Sequence, residues 1–283
     1  MKKVLLFGAT GNLGKEIAKE AIKQGYDLTA VVRNRAKAEQ LSKITTNYLI
    51  TDITNKNALE NICKGFDIVI SALGKSVSPN DHSKPTFNEI DLVANTNILL
   101  EAQRSGIKKF IYVSALHAEK YPELEYFRVH HQFSELLKQS GINYAIIKPP
   151  AIFSAFIDMV DMATKGLLVN MGSGNKQTNP IFEGDLAKIC VDSINKTNAV
   201  IEAGGKSIYT RKQLNEIIQK AVNPNKSVKN IPLGFVKFSL PLMRLFNKNM
   251  FDKFAFFVEV MQHDTIASQV GEMRFEDYIK SKI

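Results

Sequence analysis

The stretch Lys3-Val4-Leu5-Leu6-Phe7-Gly8-Ala9-Thr10-Gly11-Asn12-Leu13-Gly14 decides the fold. Its short apolar run is typical of a buried strand, and Lys15–Gln24 then predicts a helix that ends at Gly25. Glycines at this Gly-x-x-Gly-x-x-Gly spacing allow a tight turn, close approach of a pyrophosphate, and packing of helix on strand. The helix N-terminus then offers free N–H groups to the phosphate. We therefore predict that the turn binds a dinucleotide through Gly8, Thr10, Gly11, Asn12, Leu13 and Gly14.

The pattern around this turn predicts the architecture. Apolar runs alternate with segments of helical period through the first 150 residues, as in parallel βαβ units. The predicted strands are Lys3–Gly8, Leu28–Arg33, Asn47–Ile50, Asp67–Ala72, Lys109–Ser114 and Tyr144–Lys148. We predict an α/β fold with a Rossmann-type doubly wound parallel sheet.

The alternation weakens after Lys148-Pro149-Pro150, which suggests a boundary. We predict a NAD(P)-binding Rossmann domain over 1–150 and a mixed C-terminal lobe over 151–283, partly integrated with the first. A Gly/Asn-rich loop at 171–175, a strand-like segment at 179–182 and a helix from Asp185 are expected in this lobe. Because ligands of open α/β sheets bind beyond the carboxyl ends of the strands, the lobe is expected to select the substrate.

Composition narrows the class of protein. The chain has 283 residues, of which 45% are hydrophobic and 23% charged, so it is long and apolar enough to bury a core. Cys63 and Cys190 are far apart and match neither a disulfide framework nor a metal-ligand spacing, so we expect no metal site and a reducing cytoplasm. The apolar run after Met1 is too short for a signal peptide, and charges interrupt every long apolar segment, so no transmembrane segment is expected.

The net charge of +9 is concentrated in the C-terminal third, where 206–253 holds ten basic and two acidic residues. Such a surface attracts nucleic acid, anionic lipid or a phosphorylated ligand, but without a nucleic-acid-binding motif we favour a solvated basic face and expect no nucleic-acid partner. The same region is rich in phenylalanine. We expect most of these rings in the core or a pocket wall, with a membrane-surface helix or partner groove as the alternative. The rings are Phe235, Phe238, Phe246, Phe251, Phe254, Phe256 and Phe257.

The ends of the next three strands extend the predicted cofactor site. The second strand ends in Arg33-Asn34, where NAD-binding proteins usually carry an acidic residue. Because a guanidinium group pairs with the ribose 2′-phosphate of NADP(H), we predict that the site prefers NADP(H) to NAD(H). The alternative is that Arg33 is only an exposed strand-end residue. Asp52 and Ile53 are predicted near the adenine, and Ser71, Ala72, Leu73 and Gly74 beside the dinucleotide.

These motifs together resemble the short-chain dehydrogenase/reductase superfamily, in its atypical branch with NmrA-like NAD(P)-binding proteins. The resemblance also rests on Tyr112-Val113-Ser114 and on 140–149, and it spans nearly the whole chain. It implies an oxidoreductase acting on a small organic substrate. It adds His131 and Pro149 to the predicted cofactor-binding residues.

The chain departs from this family at its catalytic pair. Catalytic members use Tyr-x-x-x-Lys on the helix after the fifth strand, where the Lys cation lowers the pKa of the Tyr phenol. If the family's Lys-x-x-x-Glu spacing is placed on Glu135, Phe127 and His131 occupy these two positions. We therefore predict Ser114, Tyr126 and His131 as the catalytic residues, with Tyr126 and His130 one helical turn apart as a substitute pair. A surface or ribose-contacting role for both histidines is the alternative.

Two other functions compete with that of an oxidoreductase. The first is a non-catalytic NADP(H) sensor or a regulatory or assembly protein, which would keep the glycine turn and lose the Tyr/Lys pair. The second is a nucleotide-sugar epimerase or dehydratase, against which the missing pair argues. Asp158 and Asp161, spaced three apart, and Asn179 are weaker site candidates, and Asp185 is interpreted as an early-turn helix acid. The sequence does not determine the substrate, any protein partner or the oligomeric state.

Overall fold

A seven-stranded sheet forms the centre of the N-terminal part of the chain. The computed structural model describes residues 1–283 apart from the side chain of Ser239. The strands of the whole chain are β1 Lys3–Phe7, β2 Asp27–Val32, β3 Tyr48–Ile50, β4 Ile68–Ser71, β5 Lys109–Val113, β6 Asn143–Lys148, β7 Val169–Met171, β8 Gln177–Thr178, β9 Ala199–Glu202, β10 Tyr209–Thr210 and β11 Lys229–Ile231. The sheet has the order β3-β2-β1-β4-β5-β6-β9, and its first six strands pair in parallel. The predicted doubly wound Rossmann-type fold is confirmed.

The helices complete the βα alternation. They are α1 Asn12–Lys23, α2 Arg35–Glu39, α3 Asn95–Arg104, α4 Glu125–Gln139, α5 Ile157–Thr164, α6 Glu183–Asp192, α7 Arg211–Val222, α8 Leu233–Phe246, α9 Lys248–Val260 and α10 Phe275–Lys280. A π-helical segment, Asn88–Ala94, leads directly into α3, and single 3₁₀ turns lie at Lys56–Leu59, Ala118–Lys120, Phe153–Phe156 and Ser193–Asn195. Capping boxes, in which the first and fourth residues of a Thr-x-x-Glu/Gln sequence bond each other's backbone N–H groups, form at Thr86/Glu89 and Thr210/Gln213.

The chain divides into two compact units. The first comprises 1–75, 85–148 and 186–201, and the second comprises 76–84, 149–185 and 202–283. The first unit therefore also contains residues that follow Asp185. They include most of α6 and most of β9, which is an edge strand of the seven-stranded sheet. In the first unit, the apolar side chains of β1, β4 and β5 pack with those of α3 and α4 in a continuous core.

The second unit has its own core, built around the rings of Phe153, Phe275 and Tyr278. The segment 76–84 is held in this unit by Lys253, whose fully buried ammonium donates to the carbonyls of Ser78 and Asp81. Two acids predicted as site candidates also have local partners here. Asp158 accepts from the Ser78 hydroxyl, and Asp185 accepts from the backbone N–H groups of Glu272 and Met273.

One expectation for the C-terminal lobe is wrong. The segment 179–182 is not a strand: β8 covers Gln177–Thr178, and Ile181 forms only an isolated bridge with Ile152. The buried Asn179 side chain instead bonds the backbone of Gly205 and Ala267, which takes this stretch out of a regular ladder. Asp185 lies in the first turn of α6, as interpreted, and its carboxylate also accepts hydrogen bonds from the backbone of residues 272–273. Among the residues described, no helix combines the length and the hydrophobicity needed to cross a membrane.

Candidate nucleotide-binding site and a buried polar cluster

The glycine loop, residues 8–14, lies between β1 and α1 at the point where the strand order reverses. Strand β1 has β2 on one side and β4 on the other, so the connections diverge at its carboxyl end. Ligands of doubly wound sheets bind at such a switch point. Helix α1 begins with no side-chain cap on its N-terminus and no acid in its first turn. Its first N–H groups are therefore oriented to receive an anion.

The three glycines of this loop are required for different reasons. Gly8 has a φ of 77°, and a Cβ there would lie 2.5 Å from the Ala72 carbonyl oxygen at the end of β4. A Cβ at Gly14 would lie 2.1 Å from the Gly8 carbonyl oxygen. At Gly11 the nearest atom to an added Cβ is 3.4 Å away, and the residue is exposed with an ordinary φ of −71°. The protein's own packing thus explains Gly8 and Gly14 but does not explain Gly11.

The end of β2 presents an exposed basic group. Arg33 and Arg35 are both exposed, and no carboxylate follows the strand before Glu39. Asn34, predicted as a cofactor contact, uses its side chain to accept the Lys37 N–H and so caps α2. The exposed cationic groups at this strand end are therefore the guanidinium groups of Arg33 and Arg35.

The loops after β3 and β4 are held by internal hydrogen bonds. The Asp52 carboxylate accepts from the N–H and hydroxyl of Thr54, and these bonds lower its pKa. Ile53 packs against the apolar core of the first unit. Ser71 is fully buried and donates to Asn95, and the Ala72 N–H donates to the Phe7 carbonyl. The Leu73 N–H donates to Ser71, and Gly74 is exposed beside Asp91.

A buried polar cluster, formed by Lys75, Asp91, Tyr112, Tyr126 and His130, lies near the ends of β4 and β5. The Asp91 carboxyl is fully buried and accepts the Lys75 N–H at 3.1 Å. His130 lies between Asp91, 3.5 Å from Nε2, and the Tyr112 hydroxyl, 2.6 Å from Nδ1. The Tyr126 ring packs edge-on against His130 with ring centres 4.7 Å apart.

Burial determines the protonation of this cluster. It lowers the pKa of His130 to about 3, so the imidazole is neutral at pH 7. It raises the pKa of Asp91 well above its ordinary value, opposed by the hydrogen bonds from the Lys75 N–H and by the Lys75 charge. Burial, and next the negative charge of Asp91, raise the pKa values of Tyr112 and Tyr126. Both phenols therefore keep their protons.

The structure brings some of the predicted catalytic residues together. Tyr126 and His130 are in contact on one face of α4, next to Asp91. Ser114 is buried, with its hydroxyl 3.2 Å from that of Ser134, which in turn donates to the His130 carbonyl. His131 lies partly exposed on α4, and Phe127 is buried. Pro149 directly follows β6.

Sequence reasoning missed Asp91, Lys75 and Tyr112. Asp91 lies in the π-helical segment, a local geometry that often accompanies functional sites. The available signal was the capping-box spacing Thr86-x-x-Glu89, which indicates a helix on which Asp91 and Asn95 are one turn apart. Nothing in the pattern indicated that the helical face would be buried against β4 and β5.

Comparison with known proteins identifies the family. The sequence profile of the NAD(P)H-binding family matches residues 8–197, which include the glycine loop and the buried polar cluster. The chain belongs to the NAD(P)H-binding family. This membership confirms the resemblance to the NAD(P)-binding atypical short-chain dehydrogenase/reductases, and it confirms NAD(P)H as the class of cofactor.

Two curated relatives have different described roles. The chloroplastic divinyl chlorophyllide a 8-vinyl-reductase of Arabidopsis thaliana is 30% identical over 264 residues, covering 85% of this chain and 62% of that protein. The photosystem II assembly factor Ycf39 of Cyanophora paradoxa is 26% identical over 240 residues, covering 83% of this chain and 73% of that protein. The chain thus spans less than two thirds of the length of the reductase.

Solved structures share the fold. The NADPH-dependent quinone oxidoreductase of Escherichia coli, determined with NADPH, superposes with a TM-score of 0.74 over 99% of both chains at 20% identity. A nucleoside-diphosphate-sugar epimerase of Staphylococcus aureus superposes with a TM-score of 0.72 at 17% identity, over 99% of this chain and all of that one. At these identities the likeness establishes the fold.

Proposed function

We propose that the protein binds NADPH in preference to NADH and reduces a small organic substrate. The observation that carries the preference is the end of β2, where exposed Arg33 and Arg35 stand without a carboxylate. A carboxylate there would bind the ribose hydroxyls of NADH and repel a 2′-phosphate, whereas a guanidinium fork pairs with the phosphate. Bound NADPH would supply the hydride.

We propose roles for this chain's own residues around the bound nucleotide. The glycine loop and the N-terminus of α1 hold the pyrophosphate, His131 and Pro149 contact the nicotinamide half, and Asp52 and Ile53 lie near the adenine. The Ser114 hydroxyl hydrogen-bonds the substrate oxygen. Tyr126 or a water molecule supplies the proton.

The protonation of the cluster favours a particular substrate class. In catalytic relatives a Lys cation lowers the Tyr pKa, but here burial and Asp91 raise the pKa of Tyr126. Tyr126 is thus a weak acid, suited to substrates whose reduction does not depend on a strong proton donor. We therefore favour enones and quinones over simple aldehydes and ketones. Hydride adds to one carbon of the conjugated system, and a proton from water or Tyr126 completes the reduction. The names of the 8-vinyl-reductase and the quinone oxidoreductase support this reaction class.

The cofactor proposal is tested by titration with NADPH and NADH, followed by nicotinamide fluorescence. Loss of the phosphate contact in Arg33→Ala should weaken NADPH binding about tenfold and leave NADH binding unchanged. Arg104→Ala, which removes an exposed guanidinium on α3, is the matched control and should change neither affinity. Equal affinities for the two nucleotides in the unmodified protein would contradict the preference.

The reaction is tested by NADPH oxidation with enones, quinones, aldehydes and ketones. Turnover of an enone or quinone that falls in Ser114→Ala supports the assignment, and unchanged turnover in that variant counts against the role of Ser114.

A non-catalytic sensor or assembly role is the second candidate. Phe127 and His131 at the family's catalytic positions favour it, as does the likeness to a protein named as a photosystem II assembly factor. Its signature is tight NADPH binding without oxidation by any member of the panel. The cytoplasmic location and the choice between a small-molecule substrate and a protein partner stay predictions.

A further inference from the structure

Helix α8 in the second unit carries a stripe of large apolar side chains that the chain leaves uncovered. Phe235, Phe238, Leu242, Leu245 and Phe246 are between 62% and 87% exposed. At about 100° per residue they fall within an arc of about 100° on one side of the helix. The expectation that most phenylalanines of this region would lie in a core or pocket wall is therefore wrong for these three rings.

The opposite side of α8 already has its packing partner. Leu233, Val236, Leu240 and Met243 lie on that side and are partly buried, and α8 packs along α9. The two faces therefore have separate roles, because one joins the hairpin of α8 and α9 and the other faces outward. Solitary exposed apolar residues are ordinary on protein surfaces, but five on one helical face mark an interaction surface.

The charge around this stripe identifies the partner. Between Ile217 and Phe251 the sequence contains six basic residues and no acidic one. All six are exposed: Lys220, Lys226, Lys229, Lys237, Arg244 and Lys248. Lys237 bonds Gln262, and the Arg244 guanidinium lies over the Phe251 ring at 5.5 Å, so both cations are held beside α9, outside the stripe.

The geometry points to α8 as a helix that binds the surface of an anionic lipid bilayer. A helix with an exposed aromatic and aliphatic face, and with lysine and arginine outside that face, has the pattern of helices that lie in the plane of the interface. The rings enter the boundary between headgroups and acyl chains, and the cations remain at the phosphate level, where they gain from the negative surface potential. The stripe shares no residue with the nucleotide site and does not depend on the proposed reaction.

A tryptophan reporter tests insertion directly, because the chain contains no tryptophan. Phe238→Trp places a single indole on the stripe, and Leu100→Trp places one at an exposed position of α3 in the first unit as the matched control. Vesicles of phosphatidylcholine with phosphatidylglycerol should shift the emission of the indole on the stripe to the blue, and acyl-brominated lipid should quench it. The control emission should not change. An unshifted emission from the Phe238→Trp variant overturns the proposal.

Cosedimentation with the same vesicles separates the apolar and electrostatic contributions. Phe238→Ser with Phe246→Ser removes two inserted rings and should weaken binding at least about tenfold. Lys226→Glu with Lys229→Glu should weaken it about tenfold as well, and more strongly at low salt. The matched controls are Leu100→Ser with Leu136→Ser and Lys64→Glu with Lys120→Glu, which change exposed residues of the first unit.

Thermal unfolding and NADPH binding of each variant check that it is folded. Unmodified protein that stays in the supernatant with anionic vesicles overturns the proposal, and so does equal binding to pure phosphatidylcholine. If the serine pair instead converts a dimer to a monomer on gel filtration, and no vesicle binding is seen, the stripe joins two copies of the chain and the lipid assignment is wrong.

Discussion

The glycine loop and the buried polar cluster both lie near strand ends of the same sheet, yet they are built in opposite ways. The loop is contiguous, and its geometry depends on the absence of side chains at Gly8 and Gly14. The cluster is assembled from four separated segments, and its chemistry depends on the burial of ionisable side chains such as Asp91 and His130. Contiguous features of this kind can be recognised from a motif, whereas dispersed ones emerge only from packing.

The largest change in stability is expected when a side chain is added inside the glycine loop. Gly14→Val places a branched side chain where even a Cβ would lie 2.1 Å from the Gly8 carbonyl oxygen. We expect the free energy of unfolding to fall by about 4 kcal/mol, because backbone on both sides of the contact must move. Urea denaturation measures it. A loss below about 1 kcal/mol would show that the loop accommodates a side chain at position 14 and that its geometry does not depend on a glycine there.

The cluster is probed by pH. The pKa of His130 is about 3 in the folded protein against an ordinary 6.5, so on acidification the unfolded state binds the proton first and stability falls. His130→Asn retains an acceptor for Tyr112 and removes the titration. Between about pH 7 and about pH 5 we expect the unmodified protein to lose about 2 kcal/mol more stability than this variant.

The raised pKa of Asp91 acts with the opposite sign, since there the folded state binds the proton first. That contribution is present in both proteins, and Lys75, Tyr112 and Tyr126 face the site in both. Parallel pH profiles of unfolding for the two proteins would disprove the depressed pKa of His130.

At Gly11 a substitution is expected to affect ligand binding more than stability. Because an added Cβ meets nothing closer than 3.4 Å, Gly11→Ala should leave the free energy of unfolding within about 1 kcal/mol of the original. The methyl group occupies space that the pyrophosphate needs, so NADPH binding should weaken about tenfold. Isothermal titration measures the affinity, and Gly234→Ala, with open space around it on α8, is the control. Unchanged affinity would remove the ligand-based explanation of Gly11.

The smallest effect is expected at the edge of the cluster. Ser134 is buried and donates to the His130 carbonyl at 2.7 Å, while its hydroxyl lies 3.2 Å from that of Ser114. Ser134→Ala should cost about 1 kcal/mol of stability through the lost hydrogen bond. Thermal unfolding checks the value, and Ser42→Ala, at an exposed position of the first unit, is the reference. A variant as stable as the reference would show that these hydrogen bonds contribute little.

Local chemistry explains why the predictions succeeded where they did. The six parallel strands and the capping boxes at Thr86 and Thr210 depend on periodicity and on side chains within a few residues, so they were predictable. The segment 179–182 was not, because the fixed side chain of Asn179 bonds residues 205 and 267, far along the chain. The exposure of the α8 rings was not predictable either, because helical periodicity alone does not indicate which of two apolar faces the rest of the chain will cover.

The sequence by itself determined the doubly wound fold, the glycine loop and the absence of an acid after β2, because each is written in adjacent residues. Only the tertiary structure decided that Gly11 is not needed for packing, and that Asp91, Tyr112 and His130 meet in the interior. The physical reason is desolvation. An aspartate or histidine has its ordinary pKa in the unfolded chain, and its chemistry changes only when packing removes water from around it.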